Sequence, residues 1–378
     1  MDIIKPLRLL LAGLAAGDSI GSTSEFMPQH NVRSLLNPLK TDPHAWPLSQ
    51  VGGGSFNWEP GAPTDDTDMA MPIIHAVAKG LTGADFVHDV ATGFVDWYRG
   101  MPRDIGGTTA AMLRQIKLKL EDGLTGESLW VPALDASFRN RKAWSNGALM
   151  RNGVAAAFDP EEEGALVRVI DTTMRHTMLT HCCALPMLCN LTQTVMIARS
   201  LDNQNNALQT DAAKVAALWL TDHDSPALDR YKSCFSSAND FHYEVGGSLA
   251  LIDRALKEVA SGQFNPFDES DNKYRNQGFC LLTLQIAYWV LLASCHQRNA
   301  EQHLPEWVPA EVRRLSGAER LAWVGLIGHD ADTYGAAAGP LVAAYHGSVP
   351  DFLTNNLKAL DLFDRKYAAG NVSDESSG

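Results

Sequence analysis

Apolar residues recur along much of the chain at intervals of three and four, the spacing of one buried face of an α-helix. The pattern is clear in a stripe from Met69 to Leu81. It recurs over six further segments: 163–181, 182–201, 211–220, 245–260, 278–295 and 333–346. No run of four or more alternating Val, Ile or Thr residues indicates a strand. The sequence therefore predicts an all-α protein built as a single helical bundle.

The longest apolar segment is GFCLLTLQIAYWVLLASC, residues 278–295. It approaches the length of a bilayer span, but Thr283 and Gln285 lie within it and no basic loop orients it. We interpret it as a central core helix and predict no membrane association. The 31 basic and 44 acidic residues give a net charge of −13. Because such a surface repels phosphates, we also predict no binding to nucleic acid.

The six cysteines include no CxxC pair, and three of them lie inside apolar helical pattern. This favours buried, reduced thiols over disulfides or a zinc site and is typical of a cytoplasmic protein. The N-terminus suggests an alternative, because Lys5 and Arg8 precede an apolar run as in a secretory signal. Residues 37–64 and 261–277 are predicted to be long loops. The tail GNVSDESSG is predicted to be disordered.

Two acidic clusters are the candidate chemistry: PTDDTD (63–68), and GHDADT (328–333) within the small-residue run 325–347. Small residues predict close packing, where unpaired carboxylates carry a large desolvation cost. Carboxylate and Thr oxygens suit Mg²⁺, or alternatively Mn²⁺ or Ca²⁺. If the two helix starts meet, the ligands of an ion pair about 3.5–4 Å apart are Thr64, Asp65, Asp66, Asp330, Asp332 and Thr333. Two separately capped surface helices explain these strings equally well.

A resemblance decides between these alternatives. The chain resembles the ADP-ribosylglycohydrolase family over most of residues 9–347, through motifs in the family's order: GLAAGDSIGSTSE (13–25), PTDDTDMAM (63–71), NGALMR (146–151), Thr-His (180–181), GFCLLTLQIAYWVLL (278–292) and GHDADTYGAAAGPLVAAYHG (328–347). The resemblance implies an all-α domain, placed at 1–365 with a disordered tail at 366–378, and a central cleft holding two Mg²⁺ ions on the six ligands above. It excludes a signal peptide, because cleavage would disrupt the helix that carries Gly17 and Asp18.

The resemblance also implies which residues carry protons. In the GDxxGxxxE pattern, Glu25 follows Asp18 by seven positions. Glu25 and the metal ligand Asp66 are the carboxylates expected to take a proton from water or to protonate the leaving group. Asp18 is expected to cap or brace the structure. A surface glutamate at a helix end is the plain alternative for Glu25.

The ADP-ribose site implied by the resemblance consists of Ser145, Asn146, Gly147, Met150, Arg151, His181 and Phe279. The first three are expected near the phosphates or the distal ribose, with Met150 and Arg151 behind them. His181 is expected to contact phosphate or ribose. Phe279 lies where the family often has an aromatic residue near adenine. An ordinary helix start, a core histidine and a core aromatic are the alternatives.

The family's usual Gly-Gly-Asp reads Gly328-His329-Asp330 here, so we expect the imidazole ring to narrow the cleft or to contact the leaving group. The predicted function is Mg²⁺-dependent removal of ADP-ribose from a modified protein side chain, with arginine favoured. One alternative is a hydrolase of serine-linked, polymeric or other ADP-ribose linkages. Another is an immunity protein that binds and blocks a cognate ADP-ribosyltransferase. All six ligand positions are filled, which favours catalysis.

Overall fold

The computed structural model describes residues 3–158, 164–202, 208, 211–222, 226–233, 235–269, 273–295 and 300–367. Within these ranges the chain forms 17 α-helices, and its only β-type pairing is two isolated bridges. The helices are α1 (Ile4–Gly21), α2 (Gln29–Leu35), α3 (Asp65–Ala78), α4 (Gly83–Arg99), α5 (Gly107–Glu121), α6 (Val131–Arg139), α7 (Ala165–Met178), α8 (Ala184–Leu201), α9 (Ala212–Asp222), α10 (Pro226–Lys232), α11 (Ala238–Ala260), α12 (Cys280–Ser294), α13 (Ala300–His303), α14 (Ala310–Arg313), α15 (Ala331–His346), α16 (Asp351–Thr354) and α17 (Lys358–Tyr367).

The all-α prediction is confirmed, and every segment predicted to be helical forms a helix. The largest difference in a boundary is at α11, which begins at Ala238 rather than at 245; the other boundaries differ by at most four residues. The Ser237 side chain accepts a hydrogen bond from the Asp240 N–H and so caps the earlier start. Helices α4 and α5 were not predicted. The apolar face of α4 is nevertheless regular, with buried Phe86, Val90 and Phe94 at helical spacing.

The loop predictions hold with additions. The segments 37–64 and 261–277 each contain one 3₁₀ turn, Asn37–Lys40 and Lys273–Asn276. Helix α17 reaches Tyr367, two residues into the predicted tail, and residues 368–378 lie outside the described part of the chain.

No disulfide joins the described cysteines to one another, and four of them are buried and Cys295 is half-buried, as predicted. Cys234 lies outside the described residues. Among the described helices, none is long and apolar enough to cross a membrane. Helix α12 is instead buried almost throughout, which agrees with its interpretation as a core helix.

The centre of the bundle is an antiparallel contact between α1 and α15. Three small residues on each helix, spaced by four, face one another: Gly13, Gly17 and Gly21 against Gly339, Gly335 and Ala331. A Cβ atom added at Gly17 would lie 2.0 Å from the Gly335 carbonyl oxygen, and one added at Gly335 would lie 2.1 Å from that of Gly17. The two backbones therefore touch directly, which requires glycine at these positions.

This contact sets the position of the site. The end of α1 carries Asp18 and leads to Glu25, while α15 begins beside Asp332. Gly325 and Gly328, just before α15, also approach neighbours closely, since an added Cβ would lie 2.6 Å from the Trp46 ring and 2.3 Å from the Met27 carbonyl oxygen, respectively. The close packing predicted from the small-residue run is confirmed.

We expect Gly17→Ala and Gly335→Ala each to destabilise the fold by about 3 kcal/mol, because the added methyl meets backbone that cannot move aside. The matched control is Gly246→Ala on α11, where an added Cβ meets nothing within 4 Å. That variant is expected to gain about 0.5–1 kcal/mol. Urea unfolding measures all three, and equal stability of the Gly17 and Gly246 variants would contradict the close contact.

Candidate functional site

The start of α3 is fixed by a carboxylate from α1. Asp18 Oδ2 accepts hydrogen bonds from the backbone N–H groups of Thr64 (3.1 Å) and Thr67 (3.2 Å), and from the Thr67 hydroxyl. The Thr64 side chain caps the same turn by accepting from the Asp66 N–H at 3.3 Å. Asp18 is therefore a brace between α1 and α3, which agrees with its expected role.

The two acidic clusters meet at the starts of α3 and α15. The Thr333 hydroxyl donates to Asp66 Oδ1 at 3.2 Å, across 267 positions of sequence, and the Thr64 hydroxyl donates to Asp66 Oδ2 at 3.0 Å. Asp330 is held by Asn146, whose Nδ2 donates to Asp330 Oδ2 at 2.7 Å and to the Thr283 hydroxyl at 2.9 Å. The alternative of two separate surface helices is therefore wrong.

Two groups of three carboxylates offer oxygen atoms that all lie within 4.8 Å of one another. One group is Asp18, Asp66 and Asp332, and the other is Glu25, Asp104 and Asp332. Asp18 Oδ1 and Glu25 Oε2 are buried and have no hydrogen-bond partner. Buried, unpaired carboxylate oxygens at this density are the donors that a hard divalent cation prefers.

Burial raises the pKa of every carboxyl group in these clusters, and repulsion between carboxylates adds to the rise for all but Asp104. Burial raises the pKa of Glu25 to about 10, with repulsion from Asp104 and Asp330 adding to it. Burial likewise raises the pKa of Asp330 to about 6 and of Asp18 to about 7. The pKa values of the remaining members rise for the same first reason, well above the usual range for Asp65, Asp66 and Asp332.

A cleft of about 280 Å³ opens over the clusters. Its acidic side is formed by Glu25, Asp65, Asp104, Asp330 and Asp332. Thr333 also lines it, whereas Asp66 is fully buried behind this surface with both oxygens occupied by Thr hydroxyls. Of the two carboxylates expected to carry protons, Glu25 is therefore the one that faces the cleft.

The opposite wall contains part of the predicted ADP-ribose site. Ser145, Asn146, Gly147 and Met150 line the cleft. The segment is held by a short bridge to the start of α12, in which the Asn146 N–H donates to the Gly278 carbonyl at 3.0 Å. Phe279 stacks on Trp144 with ring centroids 6.0 Å apart and lies beside the cleft lining.

His181 lies behind the 145–147 segment, outside the cleft lining, so the structure does not place it for the direct ligand contact that was predicted. Its Nε2 hydrogen-bonds the Ser145 hydroxyl at 2.7 Å and its Nδ1 hydrogen-bonds the Thr180 hydroxyl at 2.8 Å. Burial, together with the charge of Arg151, lowers the pKa of His181 to about 3. The His181 imidazole is therefore neutral, and it orients the Ser145 side chain from the side away from the cleft.

Arg151 is fully buried behind the same segment, as expected. Its guanidinium donates to the Gly147 carbonyl at 2.5 Å and to the Thr180 hydroxyl at 2.6 Å, and lies 4.6 Å from the Phe94 ring centroid. Burial lowers its pKa to about 9, opposed by Asp65. Arg151 is a positioning residue for the loop.

His329, which was expected to narrow the cleft or to contact the leaving group, is not among the residues that line the cleft. Its backbone φ is 58°, and its ring stacks on Tyr274 with centroids 4.0 Å apart and an interplanar angle of 5°. Nε2 lies 2.6 Å from Glu269 Oε1. A positive φ favours glycine, so a histidine at this position is held in a conformation that side chains rarely adopt.

Two features of the cleft were missed by the sequence analysis. Asp104 belongs to the second carboxylate group, and the N-terminus of α5, residues 106–109, lines the cleft. An added Cβ at Gly147 would lie 2.8 Å from the Thr109 hydroxyl oxygen, so this turn packs directly on the 145–147 segment. The signal was the string DIGGTT (104–109), an acid followed by glycines and hydroxyls at the start of an amphipathic helix.

Comparisons with known proteins agree with this geometry. The chain is 29% identical over 180 residues to an ADP-ribosylarginine hydrolase, Tri1, of Serratia proteamaculans, a match covering 46% of this chain and 41% of that protein. It is 30% identical over 113 residues to the ADP-ribosyl-dinitrogen reductase glycohydrolase of Rhodospirillum rubrum, 30% of this chain and 34% of that protein. It is 34% identical over 110 residues to a putative ADP-ribosyl glycohydrolase of Acanthamoeba polyphaga mimivirus, 29% of this chain and 31% of that protein. The matches thus span less than half the length of these relatives.

A solved structure, an ADP-ribosylglycohydrolase-related protein complex, has a TM-score of 0.57 and 18% identity over 97% of this chain and 96% of its own. That likeness shows a shared fold. The family model for ADP-ribosylglycohydrolase matches residues 6–375. Because this match covers nearly the whole sequence, the chain belongs to the ADP-ribosylglycohydrolase family.

Proposed function

We propose that this protein is a Mg²⁺-dependent hydrolase, with Mn²⁺ as an alternative ion, that removes ADP-ribose from a modified arginine side chain of a protein. The observation that carries the proposal is the meeting of two carboxylate groups that share Asp332, which lines the cleft; every member is buried except the half-buried Asp104. Two of the relatives are named for the removal of ADP-ribose from arginine or from dinitrogen reductase, which supports this substrate class.

The donor set fits divalent cations. The ligands would be the six oxygen donors Thr64, Asp65, Asp66, Asp330, Asp332 and Thr333. Of these six, Asp66 and Asp332 belong to the two groups of closely spaced carboxylates, which also include Asp18, Glu25 and Asp104. The existence of two such groups supports a pair of ions. Mg²⁺, when bound, would supply Lewis acidity that orients the ribose hydroxyls and eases deprotonation of water.

Protons are handled by the residues that face the cleft. Hydrolysis breaks the bond between ribose C1″ and the guanidine nitrogen, whose electron pair stays on nitrogen, while a water oxygen bonds to C1″. Glu25 and Asp104 lie together above Asp332, and their mutual repulsion favours one protonated and one ionised member. The ionised carboxylate takes the proton from water, and the protonated one gives a proton to the departing guanidine.

The far wall would hold the rest of the ADP-ribose. The first N–H groups of α5 have no side-chain cap and face the same cleft as Ser145 and Gly147. Uncapped N–H groups at a helix start are suited to phosphate oxygens. The described cysteines, mostly buried and without a disulfide among them, support a cytoplasmic location.

The test of this function is incubation with arginine-linked, serine-linked and polymeric ADP-ribose, with and without Mg²⁺. We expect fastest release from the arginine linkage, dependence on Mg²⁺, and loss of activity in Asp332→Ala. The matched control is Asp68→Asn, because Asp68 belongs to the same acidic string but accepts from Trp97 Nε1 at 3.1 Å, outside the cleft. Faster release from serine would show that the arginine assignment is wrong, and full activity in EDTA would show that the metal dependence is wrong.

Stability of the metal-free protein is expected to fall as pH rises. The unfolded chain ionises its carboxyl groups near pH 4, whereas the folded pKa values are about 6 for Asp330, about 7 for Asp18 and about 10 for Glu25. Above about pH 4 the folded state therefore holds more protons, and each added pH unit favours unfolding until these groups ionise. Melting temperatures in EDTA should drop between about pH 5 and pH 8, and Mg²⁺ should raise them most at pH 8. A rise with pH in EDTA would contradict this.

Glu25→Gln and Asp104→Asn are each expected to lower kcat on the arginine linkage by about 10²–10⁴, because a proton carrier is lost. Calorimetric affinity for free ADP-ribose should stay within about twofold, since that ligand has no departing guanidine. The control Asp135→Asn changes an exposed carboxylate on α6 and should leave both unchanged. Wild-type kcat in Glu25→Gln would remove Glu25 from the chemistry.

A further inference from the structure

Three aromatic side chains pack in a row that starts at the cleft: Phe26, which lines it, then Phe56, then Trp58. Phe26 lines the cleft directly after Glu25, yet its ring is 47% exposed. Its ring centroid lies 6.1 Å from that of Phe56, which lies 5.9 Å from that of Trp58. We call these three residues the aromatic rim.

The backbone holds Phe26 in a conformation that a bulky residue rarely adopts. Its φ is +60°, within the left-handed region. The Phe26 N–H donates to the His329 carbonyl at 2.5 Å, and the His329 N–H donates to the Met27 carbonyl at 2.8 Å. This strain exposes a large ring instead of burying it, so packing does not explain the residue.

The loop that carries the other two rings is fixed to the same segment. The Ser55 hydroxyl donates to the Glu25 carbonyl at 3.1 Å, and the Thr23 hydroxyl donates to the Gly52 carbonyl at 3.0 Å. Gly53 and Trp58 exchange backbone hydrogen bonds of 2.8 and 2.7 Å. The rim is therefore held in a fixed position relative to the Glu25 carboxyl group.

The rim already accommodates a guanidinium. The Arg103 guanidinium carbon lies 5.5 Å from the Trp58 ring centroid, within cation–π range. Asp104, the next residue, lines the cleft beside Glu25. Phe26 thus lines the same cleft as the carboxylates of Glu25 and Asp104. A π face and negative charge in one cleft are complementary to a second guanidinium.

We propose that Phe26 is a specificity-determining residue for the acceptor, whose ring receives the guanidinium of the modified arginine while Phe56 and Trp58 hold that ring in place. This inference rests on the proposed function, because it identifies how the acceptor of that reaction is recognised. A neutral serine oxygen gains little from the same surface, whereas a planar cation stacks on the ring and faces Glu25 and Asp104.

The experiment compares Phe26→Ala, Phe26→Leu and Phe26→Trp with wild type on an ADP-ribosylarginine peptide. We expect kcat/KM to fall about two- to fivefold in the Ala and Leu variants and to be kept by Trp, since Leu retains apolar area but not the π face. Affinity for free ADP-ribose should be unchanged in all of them. The matched control is Tyr243→Ala, which removes an aromatic ring that is 80% exposed on α11, outside the cleft lining.

A second arm needs no turnover. N-Methylguanidine is titrated into the ADP-ribose-bound protein and its affinity is measured by NMR, with the same two- to fivefold loss expected in the Ala and Leu variants. A wild-type protein that does not cleave the arginine linkage refutes the proposed function, and the titration then decides the role of Phe26. Wild-type values in Phe26→Leu in either arm overturn the inference.

A third variant separates a structural role from recognition. Phe26→Gly removes the strain at φ +60°, so its melting temperature should equal or exceed that of wild type. Its kcat/KM on the arginine peptide should nevertheless fall as in Phe26→Ala. A large drop in melting temperature would show that Phe26 supports the fold, which also overturns the inference.

Discussion

The direct contact of two helix backbones, α1 on α15, is the constraint on which the rest of this structure depends. With glycine on both sides, the helices approach until carbonyl oxygens meet Cα atoms, and only this distance brings Asp18 and Asp332 within reach of one another. Any side chain larger than hydrogen in the interface would separate the two halves of the cleft. The glycines of this interface therefore set the distance between α1 and α15, in addition to allowing backbone conformations that other residues avoid.

That geometry makes the fold hold a repulsive arrangement. Five carboxylates line one side of the cleft, and Asp66 lies behind them. Because carboxylates that no cation compensates are costly beside apolar helices, the packing energy of the bundle must offset this cost. The buried α12 and the polar layer around Arg151 provide rigid support on the other wall. The site therefore lowers the stability of the fold locally, and its residues are already in position before a ligand binds.

The fold class and the acidic side of the site could be predicted from the sequence. The helical spacing of Met69–Leu81 and the glycines around Asp332 are local signals, and local signals predict local structure. Asp104 was missed because its string, DIGGTT, reads locally as an ordinary helix start, and its relevance arises only when α5 packs beside the 145–147 segment. His181 was predicted to contact the ligand, but it lies behind Ser145. How deeply a residue is buried depends on tertiary neighbours, which a Thr-His pair does not specify.

The site is also assembled from opposite ends of the described chain. Thr333 and Asp66 meet across 267 positions, and Ser24 reaches the Gly325 carbonyl across 301. Contacts of such long range are closed late in folding, because the loop entropy is lost before the contact forms. During synthesis, the glycine face of α1 therefore remains unpacked until α15 has left the ribosome. The cleft is among the last parts of the molecule to form.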